Sequence, residues 1–230
     1  MTAYLITGAN RGIGLELTRR LLERGDDVWA AARAPQSAPA LLELSRQRRG
    51  RLHPLALDVA DAVSVAAARV QVGDAVIDVL VNNAGVVGPG RQSTSDMDFG
   101  GFVQTLEVNT LGPLRVIQAF MPNLSASPAA KIVTLTSRMG SMSMARSDHV
   151  AYRASKAAAN KVMQALATDL GPRGIAVAAL HPGWVRTDMG GSGADIDVGE
   201  AAEGLIGVID RLDVAGAGRF LDWRGEELPW

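Results

Sequence analysis

The sequence predicts an α/β fold, a doubly wound parallel sheet of about seven strands with helices on both faces. Short runs rich in apolar and β-branched residues alternate with longer amphipathic or Ala-rich stretches, which is the pattern of successive βαβ units. No fixed-period repeat and no Pro- or Ser-rich linker divides the 230 residues, so residues 1–230 are expected to form a single domain.

The first strand is the apolar run Ala3 to Thr7. A glycine-rich turn carries it into a helix from Gly12 to Arg24, with Ile13, Leu17, Leu21 and Leu22 on its inward face. A second strand, Asp27 to Ala32, leads to a helix from Pro39 to Gln47, and a third, Arg51 to Leu57, to an Ala-rich helix from Asp61 to Gln71. The fourth strand, Val76 to Val81, precedes a long helical stretch, Met97 to Met121. The fifth, Lys131 to Thr136, precedes the Ala-rich helix Ala151 to Leu170. The sixth, Ile175 to Leu180, is followed by a helix from Gly199 to Leu212 and a last strand from Gly218 to Leu221. The Gly-rich, acidic stretch from Gly190 to Gly199 reads either as a mobile flap or as a solvated turn.

Composition excludes several classes of function. Hydrophobic residues make up 47% and charged ones 20%, enough apolar side chain for a large core and far from a disordered composition. With 23 Lys+Arg against 24 Asp+Glu, no net field draws in a polyanion, so nucleic acid is not an expected partner. The absence of cysteine removes disulfides, thiolate nucleophiles and cysteine-ligated metals. His53, His149 and His181 are far apart and lack metal-ligand spacing, so no metal site is expected. No apolar run approaches the ~20 residues of a membrane span, and Met1-Thr2-Ala3-Tyr4 lacks the cationic start of a secretory signal. The expectation is a cytoplasmic protein with no membrane partner.

The turn after the first strand reads Thr7-Gly8-Ala9-Asn10-Arg11-Gly12-Ile13-Gly14. Glycines let the backbone turn sharply and approach a ligand, and the free N–H groups of the following helix attract a diphosphate. The spacing is G-x-x-x-G-x-G rather than the general dinucleotide G-x-G-x-x-G, and three glycines here could also serve simple turn chemistry. Its place in the first βα unit favours phosphate binding by Gly8, Asn10, Arg11, Gly12, Ile13 and Gly14. A dinucleotide site usually has an acidic residue at the end of the second strand to bond the adenosine ribose. Here that end is Ala30-Ala31-Ala32-Arg33. Arg33, with Arg11 as a second cation, suits a 2'-phosphate through its planar fork of donors, though both could be solvated surface residues. The missing acid favours NADP as cofactor, with NAD possible.

Tyr152 and Lys156 lie four residues apart in a run of high helix propensity and share a helix face. A phenol titrates near pH ~10 and needs a nearby cation to shuttle protons at neutral pH; Lys156 would be that cation. An exposed tyrosine beside a solvated lysine gives the same spacing, so context decides.

With the glycine loop, Ser137, Tyr152 and Lys156 in this order, the chain resembles the short-chain dehydrogenase/reductase family over essentially its whole length. The motifs are Thr7 to Gly14, Asp58-Val59, Asn82-Asn83-Ala84-Gly85, Asn109, Ser137, Tyr152 to Lys156 and His181-Pro182-Gly183-Trp184-Val185-Arg186-Thr187. Within the family it is most similar to the C-factor (C-signal type) group and the small carbonyl reductases, through Gly183 to Gly190 and the ending Gly218 to Asp222 and Leu228-Pro229-Trp230. The resemblance implies a Rossmann-type fold and an NAD(P)-dependent oxidoreductase. It implies that Asp58 and the backbone of Val59 hold the adenine, and that Asn83, Ala84 and Gly85 border the cofactor. Pro182, Gly183, Val185 and Thr187 would close over the nicotinamide, and Asn109, in a kinked helix, would help hold a water for proton relay. Ser137 would bond the substrate oxygen, Tyr152 would transfer the proton, and Lys156 would bond the nicotinamide ribose and lower the phenol pKa. Tyr152 and Lys156 are thus expected in the cofactor site as well as in the catalytic group.

Met139, Met142 and Met144 between Ser137 and Tyr152 could line an adaptable pocket or pack as core. His149 either reaches this pocket or sits on the surface, and His181 reads as structural. The stretch after Thr187 is short for the family, which points to an open pocket for small or varied carbonyl compounds. A nucleotide-binding signalling role of the C-signal type is the alternative; a nucleotide-sugar epimerase or dehydratase ranks below it, since the chain after Thr187 is too short for a substrate domain. The Ala-rich helix predicts pairing into a homodimer or homotetramer. Phe220, Trp223 and Trp230 suggest that the tail packs against the body or a partner subunit.

Overall fold

Alternation along the strands builds the core. In β1 (Ala3–Thr7), Tyr4 and Ile6 enter one apolar cluster and Leu5 the other, because successive side chains of a strand point to opposite faces. The remaining strands are β2 (Asp27–Ala32), β3 (Leu52–Ala56), β4 (Val79–Asn82), β5 (Lys131–Leu135), β6 (Ala176–His181) and β7 (Phe220–Asp222). The computed structural model describes residues 1–47 and 50–230. Among these the strands form one parallel sheet in the order β3-β2-β1-β4-β5-β6-β7. Order reverses between β1 and β4, the position at which open α/β sheets place their ligand crevice.

One face is covered by α1 (Gly12–Arg24), α2 (Pro39–Gln47) and α7 (Val198–Arg211), which bury Leu17, Leu21, Leu41 and Leu205. On the other face lie α3 (Ala62–Val72), α4 (Phe99–Leu106), α5 (Gly112–Ser125) and α6 (Val150–Leu170). Here Val65, Val116, Ile117, Phe120 and Met163 meet Leu5, Leu80 and Val177 of the sheet. Each such aliphatic or aromatic side chain contributes about 2 kcal/mol through removal from water. Among the described residues no helix is long and apolar enough to cross a membrane, and no group of His, Asp and Glu is placed to hold a metal ion.

Two of the expected elements differ clearly from those observed. The long stretch Met97 to Met121 is two helices joined by a π turn, Glu107–Leu111. Pro113 has no N–H for the carbonyl of Asn109 four residues back and its ring crowds it, so the backbone widens there. The helix then passes through Pro122, which has no N–H for the carbonyl of Gln118, and ends one turn later at Ser125. The fourth strand starts at Val79 rather than Val76: Asp78 instead accepts the N–H of Ala3 (2.9 Å) and the hydroxyl of Ser127 (2.7 Å). Pro54 inside β3 is tolerated because β3 is an edge strand paired only with β2.

His181 closes β6, buried, with Nδ1 unpartnered. Burial, reinforced by Arg138 and opposed by Asp222, holds its pKa down from 6.5 to about 4. The unfolded chain therefore takes up a proton that the folded chain refuses between these values, and stability is lost as pH falls through that window. We expect the wild type to be roughly 2 kcal/mol less stable at pH 5 than at pH 7.5 from this residue alone. Urea midpoints for His181→Gln should show a correspondingly flatter pH dependence; parallel curves for variant and wild type would remove the assignment.

Candidate active site

The turn between β1 and α1 is built for close approach. Gly8 is left-handed (φ 67°), and a Cβ on Gly14 would collide with the Gly8 carbonyl and the Asn83 amide. Thr7 Oγ1 accepts from the main-chain N–H of Asn83 and of Ala84, both at 3.1 Å. Asn83 Nδ2 returns bonds to the carbonyls of Thr7 (2.8 Å) and Gly8 (3.0 Å). The loops after β1 and β4 are thereby stitched together at the reversal of strand order. Arg11 stands at the N-cap of α1 without a side-chain cap, and no acidic residue lies in the first turn, so the helix presents N–H groups and the positive end of its dipole to the cleft.

The cleft opening there has a volume of about 440 Å³. Gly8, Asn10, Arg11, Gly12 and Ile13 line one wall, Arg33, Asp58 and Val59 one end, and Asn83, Ala84, Gly85, Tyr152, Lys156, Pro182 and Thr187 the rest. Arg33 is exposed beyond β2, with Ser37 on the same wall. Arg11 bonds Asp188 at 3.2 Å across the mouth, both side chains largely in solvent, a pair worth little by itself. Asp58 Oδ1 accepts from the N–H of Ala60 at 3.0 Å. These residues fit a dinucleotide: glycines that keep side chains out of the cradle, an open helix N-terminus for a diphosphate, and an arginine where a carboxylate would oppose a 2'-phosphate.

Gly14, Asn109, Ser137, Gly183 and Val185 stand behind this lining rather than in it. Val185 is buried and bridges Ile196, while Gly183 faces Ile196 and Trp223. Asn109 spends its side chain on protein: Oδ1 accepts from the N–H of Val86 (2.9 Å), and Nδ2 donates to the Val86 carbonyl (2.8 Å) and Ser155 Oγ (3.0 Å). That amide holds the loop after β4 against α6.

Ser137 follows β5, buried, and its Oγ accepts from the N–H of Met139 at 3.1 Å. The tight turn Arg138–Gly140 lies directly on α6, where a Cβ on Gly140 would press into the backbone of Lys156 and Ala157. This contact sets Ser137 beside Tyr152. Burial pushes the Tyr152 phenol above its ordinary pKa, opposed by hydrogen bonding to Ser137. Lys156 is buried with Nζ 5.8 Å from the centre of the Tyr152 ring and donating to the Leu135 carbonyl at 2.8 Å. Burial brings its pKa down to about 8, so it remains mostly cationic at neutral pH. In the protein alone, removal from water is the largest influence on the phenol, and Lys156 stands beside the ring as the nearby cation.

On the substrate side the structure chooses among readings the sequence left open. Met142 and Met144 are exposed and Met189 lines the cleft. His149 is exposed, bonded to Asp148. The Gly190 to Gly199 stretch folds back on its neighbours, Trp184 Nε1 donating to the Gly190 carbonyl (2.9 Å) and the N–H of Arg186 to that of Ile196 (2.9 Å). Among the residues the sequence reading missed, Ser37, Val86, Val108, Asp188 and Met189 line the cleft, and nothing in their local spacing marks them.

A family model described as short chain dehydrogenase matches residues 2–195. The chain belongs to the short-chain dehydrogenase family. It is accordingly an NAD(P)-dependent oxidoreductase. It is 44% identical to C-signal of Myxococcus xanthus over 156 residues, 67% of this chain and 93% of that one. It is 35% identical to 1-hydroxy-2-glutathionyl-2-methyl-3-butene dehydrogenase of Rhodococcus sp. (strain AD45) over 237 residues, the full length of both. The crystal structure of NADPH-bound carbonyl reductase from chicken fatty liver superposes with a TM-score of 0.91 at 31% identity, covering 100% of this chain and 99% of that one.

The tail packs against the segment leading from Ser137 to Tyr152. The Leu228 N–H donates to the Phe220 carbonyl (2.7 Å), Trp230 stacks on Phe220 at 5.6 Å, and the Trp230 main-chain oxygen accepts from the Met142 N–H and Ser141 Oγ, each at 3.2 Å. Deleting residues 226 to 230 should cost about 2–4 kcal/mol of stability and, by freeing Ser141 and Met142, raise substrate KM. Thermal melts and steady-state kinetics check this; unchanged Tm and KM would mean that the contacts carry no weight.

Proposed function

We propose that this chain is an NADP-dependent oxidoreductase that transfers a hydride between the nicotinamide and a carbonyl or alcohol of a small or varied substrate, with Tyr152 as general acid and base. The observation that carries the reading is the meeting of Tyr152 and Lys156, with Ser137 beside the phenol and just behind the lining, at one end of a cleft that elsewhere offers a glycine cradle and Arg33. The NADPH-bound state of the chicken carbonyl reductase supports the cofactor choice. The signalling alternative is not favoured, since the full-length relative is a dehydrogenase.

When bound, the cofactor supplies or accepts the hydride. Gly8, Asn10, Gly12, Ile13 and the first turn of α1 would hold the diphosphate, with Gly14 making room behind them. Arg33, with Arg11 once released from Asp188, would meet the 2'-phosphate. Asp58 and Val59 would border the adenine. Asn83, Ala84 and Gly85 would follow the cofactor along the floor, with Pro182 and Thr187 over the nicotinamide and Gly183 and Val185 setting their position.

In the reductive direction Tyr152, kept protonated by burial, gives its proton to the carbonyl oxygen, and Ser137 donates a hydrogen bond to that oxygen as negative charge grows. Lys156 keeps one N–H on Leu135 and has others for the nicotinamide ribose, holding positive charge beside the phenolate that proton transfer leaves. Asn109 acts by holding the loop and α6 in register. Tyr152→Phe should lower kcat by about 10²–10⁴-fold with NADP affinity within a few-fold, since it removes the proton donor and keeps the ring. Retained turnover on the best of a panel of ketones, aldehydes and quinones would overturn the assignment.

Arg33→Asp should reverse the cofactor preference, opposing like charges at the 2'-phosphate and giving an NAD ribose an acceptor. Calorimetric titration with both cofactors decides: tighter binding of NAD than NADP by the wild type would refute the premise. The proposal includes a homodimer or homotetramer, supported by the exposed Phe99, Val103 and Leu111 on the helices beside α6. Sedimentation should give a mass above that of one chain at micromolar concentration, and a monomer would exclude it.

A further inference from the structure

Tyr152 lies in the first turn of α6, and the chain beside it offers that turn no cap. His149 occupies the N-cap in a left-handed conformation (φ 51°) and makes no side-chain capping bond. An α-helix leaves its first four N–H groups without internal partners, and a turn so exposed frays unless something accepts from them.

The acceptor comes from a distant part of the sequence. Gln92, in the loop between β4 and α4, is buried at 8% exposure. Its Oε1 accepts from the main-chain N–H of Tyr152 at 3.1 Å, and its own carbonyl accepts from the N–H of Val150 at 3.0 Å. Nε2 donates to the carbonyls of Val87 (3.2 Å) and Pro89 (2.8 Å). Those two acceptors fix the orientation of the amide, because a flipped group would turn its NH2 toward the Tyr152 N–H. The carbonyl of the same residue is held too: Ser155 Oγ donates to the Tyr152 carbonyl at 2.7 Å and accepts from Asn109, which grips Val86 at the start of the Gln92 loop. The backbone of Tyr152 is thus clamped at its N–H and at its carbonyl by groups anchored on the loop after β4.

We propose that Gln92 is a positioning residue for the reaction, capping α6 from the loop after β4 and so holding Tyr152 within reach of the substrate oxygen. This rests on Tyr152 being the proton donor. Misplacing a donor by about 1 Å costs rate far more than it costs binding, so the effect belongs in kcat.

Three variants test it: Gln92→Met, which keeps volume but loses every side-chain bond; Gln92→Asn, which keeps the amide but is one methylene too short to reach both sets of partners; and Tyr152→Phe. Gln92→Met should lower kcat about tenfold or more, leave KM for NADPH within about twofold, and speed hydrogen exchange of the Tyr152 amide. Gln92→Asn should lower kcat by about threefold or more and likewise leave KM for NADPH within about twofold. Wild-type kcat in a folded Gln92→Met, beside an inactive Tyr152→Phe, would overturn the role of Gln92 and leave the tyrosine intact. An active Tyr152→Phe would overturn the underlying assignment whatever Gln92 does. If Gln92→Met fails to fold, Gln92→Asn alone decides: kcat below wild type with KM for NADPH unchanged supports the proposal, and wild-type kcat overturns it.

Discussion

Thr7 and Asn83 tie the loops that leave β1 and β4, and the cleft exists only while those loops stay together. Strand order reverses at this point, so helices depart to opposite faces and the two loops would otherwise splay. One hydroxyl accepting two N–H groups and one amide donating to two carbonyls use the polar groups of both turns without water. The requirement reaches the sequence as a demand for small residues: any side chain at Gly14 would enter the space the Asn83 amide occupies. What remains at the top of the sheet is a helix N-terminus with its N–H groups free for a ligand.

The second constraint is electrostatic. Tyr152 and Lys156 are both pushed toward neutrality by burial, the phenol upward and the ammonium down to about 8. At neutral pH the result is a proton-bearing phenol beside a cation. Lys156 carries its charge in a buried position because Leu135 accepts one of its N–H bonds; an unbonded ammonium there would be driven further toward the neutral form. The same burial that costs stability makes the charge effective, since little water screens it from the phenol.

Around this pair the structure spends most of its irregular features. The π turn places Asn109 against both Val86 and Ser155, Thr110 Oγ1 reaches the Ser155 carbonyl at 2.8 Å, and the turn bearing Ser137 lies on α6 at Gly140. Departures from regular helix and strand cost backbone bonds, and here each is matched by a bond that fixes α6 relative to the sheet. The tail adds a last tether on the segment between Ser137 and Tyr152.

Local pattern alone determined much of this. The alternation of strand and helix, the glycine turn and the one-face spacing of Tyr152 and Lys156 were legible because each depends on neighbours within a few residues. Even the break near Asn109 had a local sign in Gly112-Pro113, although its form as a π turn did not. The tertiary structure decided the rest. Gln92 bonds Tyr152 across 60 residues of chain, and Ser141 bonds Trp230 across 89. Gly183 and Val185 fall behind the lining because Ile196 and Trp223 pack over them. The pKa directions of Tyr152 and Lys156 depend on how much protein surrounds them, which sequence spacing does not report. Such contacts follow from which strands pair and which loops then meet, and no periodicity in the sequence encodes a meeting of two loops.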